Sequence, residues 1–181
     1  MKLFLTSYLA DVKELVQNFL TQNDVQEILF IPTAANVKEY WDYVDEGIAV
    51  LKENGYDVTI LDVATTPHNK SAQAIKNSKC LCISGGNTFY LLQELKRNGL
   101  LDLIKQRVQD GMLYIDESAG AIIACPNISY NQIMDDKTVA TELTNYSGMG
   151  LVDYYVLPHN GEFPFVKTTA QTIKVYGEKI N

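Results

Sequence analysis

The part of the chain best suited to chemistry is the segment MLYIDESAGAIIACP, residues 112–126. An apolar strand is predicted to end there, Ser118 follows at once, and the small residues Ala119–Ala121 open a helix. Small neighbours allow a sharp strand-to-helix turn that projects the serine oxygen above the sheet, with free N–H groups facing an oxyanion. This predicts a nucleophile elbow, although Asp116 stands at the first glycine position of G-x-S-x-G. An N-cap serine that begins an ordinary helix is the alternative.

A glycine pair follows another predicted strand, in the run Ser84-Gly85-Gly86-Asn87-Thr88. Gly85 and Gly86 can adopt positive φ and let the backbone approach a ligand closely. Their N–H groups could donate to a tetrahedral oxyanion. The alternative is a tight turn in which Asn87 or Thr88 is the N-cap of a helix. The run lacks the G-K-[ST] sequence that a phosphate loop requires.

A serine nucleophile needs a proton acceptor, and imidazole is the usual one. The chain has two histidines, of which His159 follows an apolar strand and a proline, whereas His68 lies in a polar loop and is expected to be solvated. Asp135 and Asp136 lie between the serine and His159, in a chain order known to support a catalytic triad. Either carboxylate could orient the imidazole, and Glu162 is a further candidate. An acidic pair that is merely solvated is the alternative.

Apolar strands alternate with amphipathic helices along most of the chain. Strands are predicted at residues 2–8, 27–34, 58–63, 79–84, 112–115 and 151–157. Helices are predicted at residues 9–22, 40–54, 88–96 and 101–110. Strands that are apolar on both faces and separated by helices indicate a mostly parallel sheet covered on both sides. We therefore predict a three-layer αβα, doubly wound α/β fold with its site at the carboxyl ends of the strands.

The last third of the chain is less regular. Residues 127–147 are polar and turn-rich, with a short strand-like piece at 138–141, and the tail at 172–181 is predicted to begin a strand and turn. We expect residues 1–181 to form a single α/β domain, because no linker or internal repeat interrupts them.

Composition restricts the class of partner. The chain has 181 residues, 46% of them hydrophobic and 20% charged, which is an ordinary globular balance. The net charge of −7 and the presence of only two arginines argue against nucleic acid as a partner. The N-terminal apolar run is broken by Asp11, Lys13 and Glu14, so neither a signal peptide nor a membrane span is expected.

Three cysteines occur, namely Cys80, Cys82 and Cys125. An odd number without a signal sequence indicates a reducing compartment, so we expect a cytoplasmic protein. Two histidines and no second cysteine pair argue against a zinc site. Plain buried thiols are the expectation, because free cysteine packs as a small hydrophobe.

Taken together, these motifs resemble the peptidase E family of serine peptidases. The matching residues are Ser84–Phe89 with Leu91 and Leu92, Ser118–Ala121, Pro126 and Pro158–His159, and the resemblance covers about residues 1–165. It implies an α/β fold related to class I glutamine amidotransferases and a Ser-His-Asp/Glu triad. The best-known members of the family are cytoplasmic dipeptidases that release an N-terminal aspartate, and cyanophycinases are more distant relatives.

The resemblance assigns Ser118 as nucleophile and His159 as general base. An ungapped alignment from Ser118 places Ile133 where the family has its aspartate, so Asp135 and Asp136 stay equal candidates for the acid.

The resemblance also implies how the substrate is held. The N–H groups of Gly86 and Ala119 would bind the oxyanion, and Gly85, Asn87 and Thr88 would contact a small peptide. No metal or cofactor is implied, and we expect a monomer or homodimer without a membrane partner.

Three departures from the family pattern motivate a second hypothesis. Asp116 and Glu117 place two carboxylates beside the nucleophile, which would disfavour an oxyanion and raise the pKa of His159 unless they point away. No arginine follows Arg107 to bind an aspartyl substrate, and the chain ends soon after His159, so C-terminal elements are expected to be missing. The alternative to a dipeptidase is a catalytically degenerate member that binds a small molecule or a protein. An amidase of the glutamine amidotransferase type is disfavoured, because that chemistry normally has cysteine at the elbow.

Overall fold

Five parallel β-strands form the centre of the computed structural model, which describes residues 1–178. The strands are β1 (Leu3–Thr6), β2 (Glu27–Ile31), β3 (Asp57–Ile60), β4 (Cys80–Ile83) and β5 (Leu113–Glu117), in the sheet order β1-β5-β4-β2-β3. The predicted strands at residues 2–8, 27–34, 58–63, 79–84 and 112–115 correspond to these five. All five carboxyl ends therefore meet at one edge of the sheet, where the polar runs after β4 and β5 come together.

Seven α-helices surround this sheet within residues 1–178. They are α1 (Lys13–Thr21), α2 (Asp42–Glu53), α3 (His68–Asn77), α4 (Thr88–Arg97), α5 (Leu101–Gln109), α6 (Ala119–Ile123) and α7 (Val166–Tyr176). Short 3₁₀ turns lie at Ala10–Val12, Thr33–Val37, Ser129–Ile133 and Lys137–Val139. No helix of residues 1–178 is both long and apolar enough to cross a membrane.

The helices cover both faces of the sheet because its strands are apolar on both faces. Ile28 and Phe30 of β2 face one core, which α1 and α2 complete. Leu29 and Ile31 face the opposite core, which α3, α4, α5 and α6 complete. The predicted α/β fold, with a parallel sheet between two helical layers, is confirmed.

The cysteines are buried free thiols, as predicted. Cys80 and Cys82 face the α1–α2 core, and Cys125 follows α6. Burial raises the pKa of Cys80 to about 12, so this thiol stays protonated and is not a nucleophile.

The predicted sixth strand at residues 151–157 is wrong. The N–H of Leu151 donates to the carbonyl of Ala124 (2.8 Å), and the N–H of Val156 contacts the sulfur of Cys125 (3.2 Å). This irregular segment therefore satisfies its backbone against the end of α6, and its apolar residues pack there without joining the sheet.

Three smaller predictions also differ from the structure. Residues 138–141 contain the end of a 3₁₀ turn where a strand-like piece was predicted. The tail at 172–176 belongs to α7, because it continues a helix that begins at Val166, and residues 179–181 lie outside the described part of the chain. His68 begins α3, a helix with a weak apolar signal because its buried residues are Ser71, Ala72 and Ile75.

Candidate active site

Ser118 occupies the sharp turn between β5 and α6. Its backbone has φ 49° and ψ −95°, a conformation that costs a residue with a side chain about 1–3 kcal/mol. Two hydrogen bonds hold it there: the Ser118 N–H donates to the Thr6 carbonyl (2.9 Å), and the Ile122 N–H donates to the Ser118 carbonyl (3.0 Å). The predicted strand-to-helix elbow is present, and it lifts the serine side chain above the carboxyl edge of the sheet.

Gly120 explains why the elbow can be so tight. A Cβ at this position would lie 2.7 Å from the Cβ of Asp116 and 2.9 Å from the carbonyl oxygen of Ile83. The hydroxyl of buried Tyr114 donates to the Gly120 carbonyl (2.8 Å) and fastens the first turn of α6 to β5. Only glycine allows α6 to start this close to the two central strands.

Asp116, which stands at the first glycine position of G-x-S-x-G, lies beneath the elbow. Its side chain is fully buried, and one carboxyl oxygen accepts the Thr6 N–H (3.2 Å). Burial raises the pKa of Asp116 well above its ordinary range, which favours the neutral form. In that form the carboxyl places no negative charge beside the serine oxygen.

His159 lies opposite the serine, with its Nε2 3.0 Å from the Oγ of Ser118. The His159 N–H donates to the Oγ of Ser7 (3.0 Å), and the ring stacks on Phe165 with centroids 4.5 Å apart. Burial lowers the pKa of the imidazole, which favours its neutral form. For the Ser118 hydroxyl to donate to Nε2, the ring proton must be on Nδ1.

Asp135, one of the two acids predicted to orient the imidazole, makes its hydrogen bonds elsewhere. Its carboxylate accepts from the N–H of Thr88 (2.9 Å), the hydroxyl of Thr88 (2.8 Å) and the amide of Asn131 (2.9 Å). It also pairs with the Nζ of Lys38 (3.1 Å). The carboxylate thus binds the N-terminus of α4, and no hydrogen bond joins it to His159 within residues 1–178.

Asp136 is likewise occupied, because its exposed carboxylate caps a 3₁₀ turn through the N–H (2.8 Å) and hydroxyl (2.7 Å) of Thr138. The expected hydrogen bond from the imidazole N–H to Asp135 or Asp136 is therefore not formed. Nearby negative charge partly offsets the lowering of the His159 pKa by burial, with Glu162 the larger contributor and Asp135 the smaller. The charge that would stabilise an imidazolium comes from these two carboxylates at longer range.

Gly86 approaches the loop after β2 closely and has φ +137°. A Cβ there would lie 2.6 Å from the nitrogen of Ala35 and closer still to the carbonyl group of Ala34. The adjacent Asn87 N–H donates to the Ala34 carbonyl (2.7 Å) and locks this contact. Within residues 1–178 the N–H groups of Gly86 and Ala119 donate to no protein acceptor, and Gly86 lines the cleft.

The three remaining predicted substrate-binding residues have different surroundings. Gly85 lines the cleft above the sheet. The side chain of Asn87 caps α4 by accepting the Tyr90 N–H (2.9 Å), and Thr88 is held by Asp135. The alternative interpretation of this run as a helix cap is thus correct for Asn87, whereas Thr88 is the first residue of α4.

A wide cleft of about 1210 Å³ opens over the carboxyl edge of the sheet. Ser118, His159, Gly85 and Gly86 line it together with residues of the loops after β1 and β2 and of the segment 157–165.

Glu117 is a second buried carboxyl in the cleft wall. A Cβ at Gly85 would lie 3.3 Å from its Oε1 and 3.5 Å from the Cβ of Ser118, so this carboxyl is close to the nucleophile. Burial, together with the nearby Glu46 and Asp11, raises the pKa of Glu117 to about 8. The group is mainly protonated at neutral pH, which removes the second charge expected beside the elbow.

The Glu117 carboxyl should make stability depend on pH. The folded chain holds this proton up to about pH 8, whereas an ordinary glutamate loses it near pH 4.5, so the free energy of unfolding should fall as the pH rises between these values. Urea unfolding from pH 5 to pH 9 should show a shallower fall for Glu117→Gln than for the native protein. Glu27→Gln, at an exposed glutamate, is the matched control and should change the free energy of unfolding with pH as the native protein does. If the free energy of unfolding of Glu117→Gln falls with pH as steeply as that of the native protein, this account is contradicted.

Four residues of the site were not predicted from the sequence: Lys38, Tyr43, Asn131 and Phe165. Lys38 follows the 3₁₀ turn after β2, so the rule that sites lie at strand carboxyl ends could have indicated it. Nothing in the local sequence marks the other three, because their roles depend on how distant segments pack.

A serine and an imidazole paired over the carboxyl edge of a parallel sheet is the arrangement that serine hydrolases use for acyl transfer. Comparison with known proteins narrows this class. The model of peptidase family S51 matches residues 3–181 of the chain. The chain therefore belongs to this family, the predicted relationship to peptidase E is confirmed, and the protein is a serine peptidase.

Individual relatives agree with the family assignment. The chain is 43% identical over 178 residues to an uncharacterized peptidase of Listeria innocua, covering 98% of this chain and 85% of the relative. Peptidase E of Nostoc is 33% identical over 152 residues, covering 84% of this chain and 59% of that relative. A crystal structure of a candidate peptidase E from Listeria monocytogenes superposes with a TM-score of 0.92 at 42% identity, covering 97% of this chain and 87% of that one.

Proposed function

We propose that the protein is a dipeptidase that cleaves small peptides after their N-terminal residue through an acyl-enzyme on Ser118. The observation that carries this proposal is the 3.0 Å contact between Oγ of Ser118 and Nε2 of His159 at a strained elbow. Oγ attacks the scissile carbonyl while Nε2 takes the hydroxyl proton. The N–H groups of Gly86 and Ala119 bind the resulting oxyanion. Nε2 then protonates the leaving amine, and water hydrolyses the ester with His159 again as base.

The imidazole is positioned in this proposal by packing and by its backbone. Ser7 fixes the His159 backbone, and the Phe165 ring fixes the plane of the imidazole. Glu162 and Asp135 stabilise the imidazolium electrostatically, although neither is hydrogen-bonded to it. The relatives named Peptidase E support a peptidase that acts on small peptides, and an N-terminal aspartate is one candidate for the residue released. A cytoplasmic location, the absence of a metal or cofactor, and a monomer or homodimer remain predictions.

A fluorophosphonate probe and a dipeptide panel test this function together. We expect the probe to label Ser118, identified by peptide mass mapping, and at least one unblocked dipeptide to be hydrolysed. Absence of both labelling and hydrolysis in folded protein would refute the proposal.

The second candidate is a family member that binds peptides without cleaving them. The observation that favours it is the absence of a hydrogen-bonded carboxylate behind His159 within residues 1–178. Calorimetric titration with the same dipeptides distinguishes the candidates, since a binding module would take up a dipeptide that it never hydrolyses.

The fall of kcat/KM at low pH should report the protonation of His159. Because burial lowers the pKa of His159 from its ordinary value of 6.5, the midpoint of the fall in kcat/KM on the acid side should lie below pH 6.5. Glu162→Gln removes the charge that most strongly raises this pKa, so the midpoint should move further down, by less at high salt. A midpoint that rises in Glu162→Gln would contradict the assigned electrostatics.

A further inference from the structure

Carboxylates outnumber cations along the cleft. Apart from Glu117, whose raised pKa keeps it mainly protonated, four acidic residues line the cleft, namely Asp11, Glu39, Asp135 and Glu162. The single lysine among its lining residues is Lys38. Lys38 is paired with Asp135 at 3.1 Å, so its charge is already compensated. Within residues 1–178 no salt bridge neutralises Asp11, Glu39 or Glu162. A concave wall of one charge sign raises the local concentration of ligands of the opposite sign.

A buried acceptor in the same cleft gives an independent indication. Asn131 lines the cleft and is 0% exposed, yet its Oδ1 has no hydrogen-bond partner within residues 1–178. Its amide orientation is fixed, because Nδ2 donates to the carboxylate of Asp135 (2.9 Å) and to the hydroxyl of Thr88 (3.0 Å). A carboxylate accepts only, so the amide cannot be reversed. Oδ1 is therefore an acceptor without a donor, which a buried site tolerates poorly.

The hydroxyl of Tyr43 adds a further polar atom to this pocket. It is buried and without a hydrogen-bond partner within residues 1–178, and the Tyr43 ring lines the cleft. A Cβ at Gly85 would lie 3.6 Å from the Tyr43 ring and 3.5 Å from the Cβ of Ser118. The Tyr43 ring therefore lies beside the nucleophile, in the same cleft that Asn131 lines.

We propose that this pocket binds the free ammonium group of the substrate, with Asn131 Oδ1 as the acceptor and with the carboxylates of Asp11, Glu39 and Glu162, which form no salt bridge within residues 1–178, supplying the negative field. The inference rests on the proposed dipeptidase function and extends it to substrate choice. The surrounding carboxylates make the cleft favour peptides whose N-terminal residue is basic and disfavour those whose N-terminal residue is acidic. Lys38 does not reverse this preference, because Asp135 holds its charge.

Matched dipeptides test the preference directly. Lys-Leu, Leu-Leu and Glu-Leu differ only at the N-terminal residue, and we expect kcat/KM to fall in that order, by roughly tenfold or more between the first and the last. Acetylation of Leu-Leu removes the ammonium and should raise KM by roughly tenfold or more, as loss of a charged hydrogen bond does. A cleft that hydrolyses Glu-Leu best, or N-acetyl-Leu-Leu as well as Leu-Leu, overturns the inference.

Two sets of variants test which residues cause the charge preference and which bind the ammonium group. The double variant Asp11→Asn/Glu39→Gln changes exposed lining residues and should reduce the Lys-Leu to Glu-Leu ratio by roughly threefold. Glu27→Gln removes a carboxylate at the amino end of β2, away from the cleft, and should leave the ratio unchanged. Asn131→Ala should raise KM for Leu-Leu more than it lowers kcat, with thermal unfolding as a check on folding. An unchanged ratio in the double variant together with an unchanged KM in Asn131→Ala would also refute the inference.

Failure of this inference is separable from failure of the proposed function. If no dipeptide is hydrolysed and Ser118 takes no label, the function itself is wrong. If dipeptides are hydrolysed but charge at the N-terminal residue has no effect, the dipeptidase stands and the ammonium pocket does not.

Discussion

Ser118→Ala is expected to lower kcat/KM for the best dipeptide by about 10⁵–10⁶-fold while leaving the fold intact. In the proposed mechanism the acyl-enzyme forms on this hydroxyl, and its loss leaves oxyanion binding alone to accelerate hydrolysis. His159→Gln should cost about as much, because a serine that cannot transfer its proton to Nε2 attacks poorly. The double variant should be no worse than either single one, since the two side chains act as a unit.

Ser129→Ala is the matched control, because it makes the same chemical change at an exposed serine in a 3₁₀ turn. Its kinetics should equal those of the native protein. Additive losses in the double variant, or full activity in Ser118→Ala, would show that Ser118 and His159 do not share a reaction step.

Gly86→Ala is expected to damage both activity and stability. Its Cβ would collide with the backbone of Ala34 and Ala35, at a φ of +137° that disfavours any side chain. The loop must shift to relieve the collision, which should reduce kcat roughly 100-fold through the displaced oxyanion donor. The free energy of unfolding should fall by about 2–4 kcal/mol, measured by urea denaturation.

Gly111→Ala separates backbone strain from the collision. Gly111 also has positive φ, +110°, but an added Cβ there meets no atom within 4 Å. This control should lose about 1–2 kcal/mol and keep full activity. Equal effects of the two substitutions would mean that the close approach of Gly86 to the loop after β2 has no catalytic role.

The sequence predicts the sheet well because parallel strands buried on both faces are continuous apolar runs. The same signal misleads at residues 151–157, where an apolar run packs against the end of α6 and its Tyr154 is 55% exposed. Helix α3 escapes prediction for the opposite reason, since it buries small residues such as Ser71 and Ala72. An apolar pattern shows which residues are buried, but whether they form a strand, a helix or an irregular segment depends on tertiary packing.

Within the candidate site, the local sequence predicts the strand-to-helix turn at Ser118 and the position of His159, but it does not predict the role of Asp135. Ser118 and His159 each follow an apolar segment, so their positions can be inferred from the chain itself. The partner of Asp135 depends on where α4 begins, because that carboxylate satisfies the N–H of Thr88. Such pairings between loops distant in sequence leave no local pattern.

The short edge strand β1 supports both candidate catalytic residues. Thr6 accepts the N–H of Ser118, and the next residue, Ser7, accepts the N–H of His159. Nucleophile and base are 41 positions apart in sequence, yet their alignment depends on two consecutive residues at the margin of the sheet. Fraying of this N-terminal segment would disconnect both at once, so heat inactivation should follow the local opening of β1 and precede loss of the helical signal.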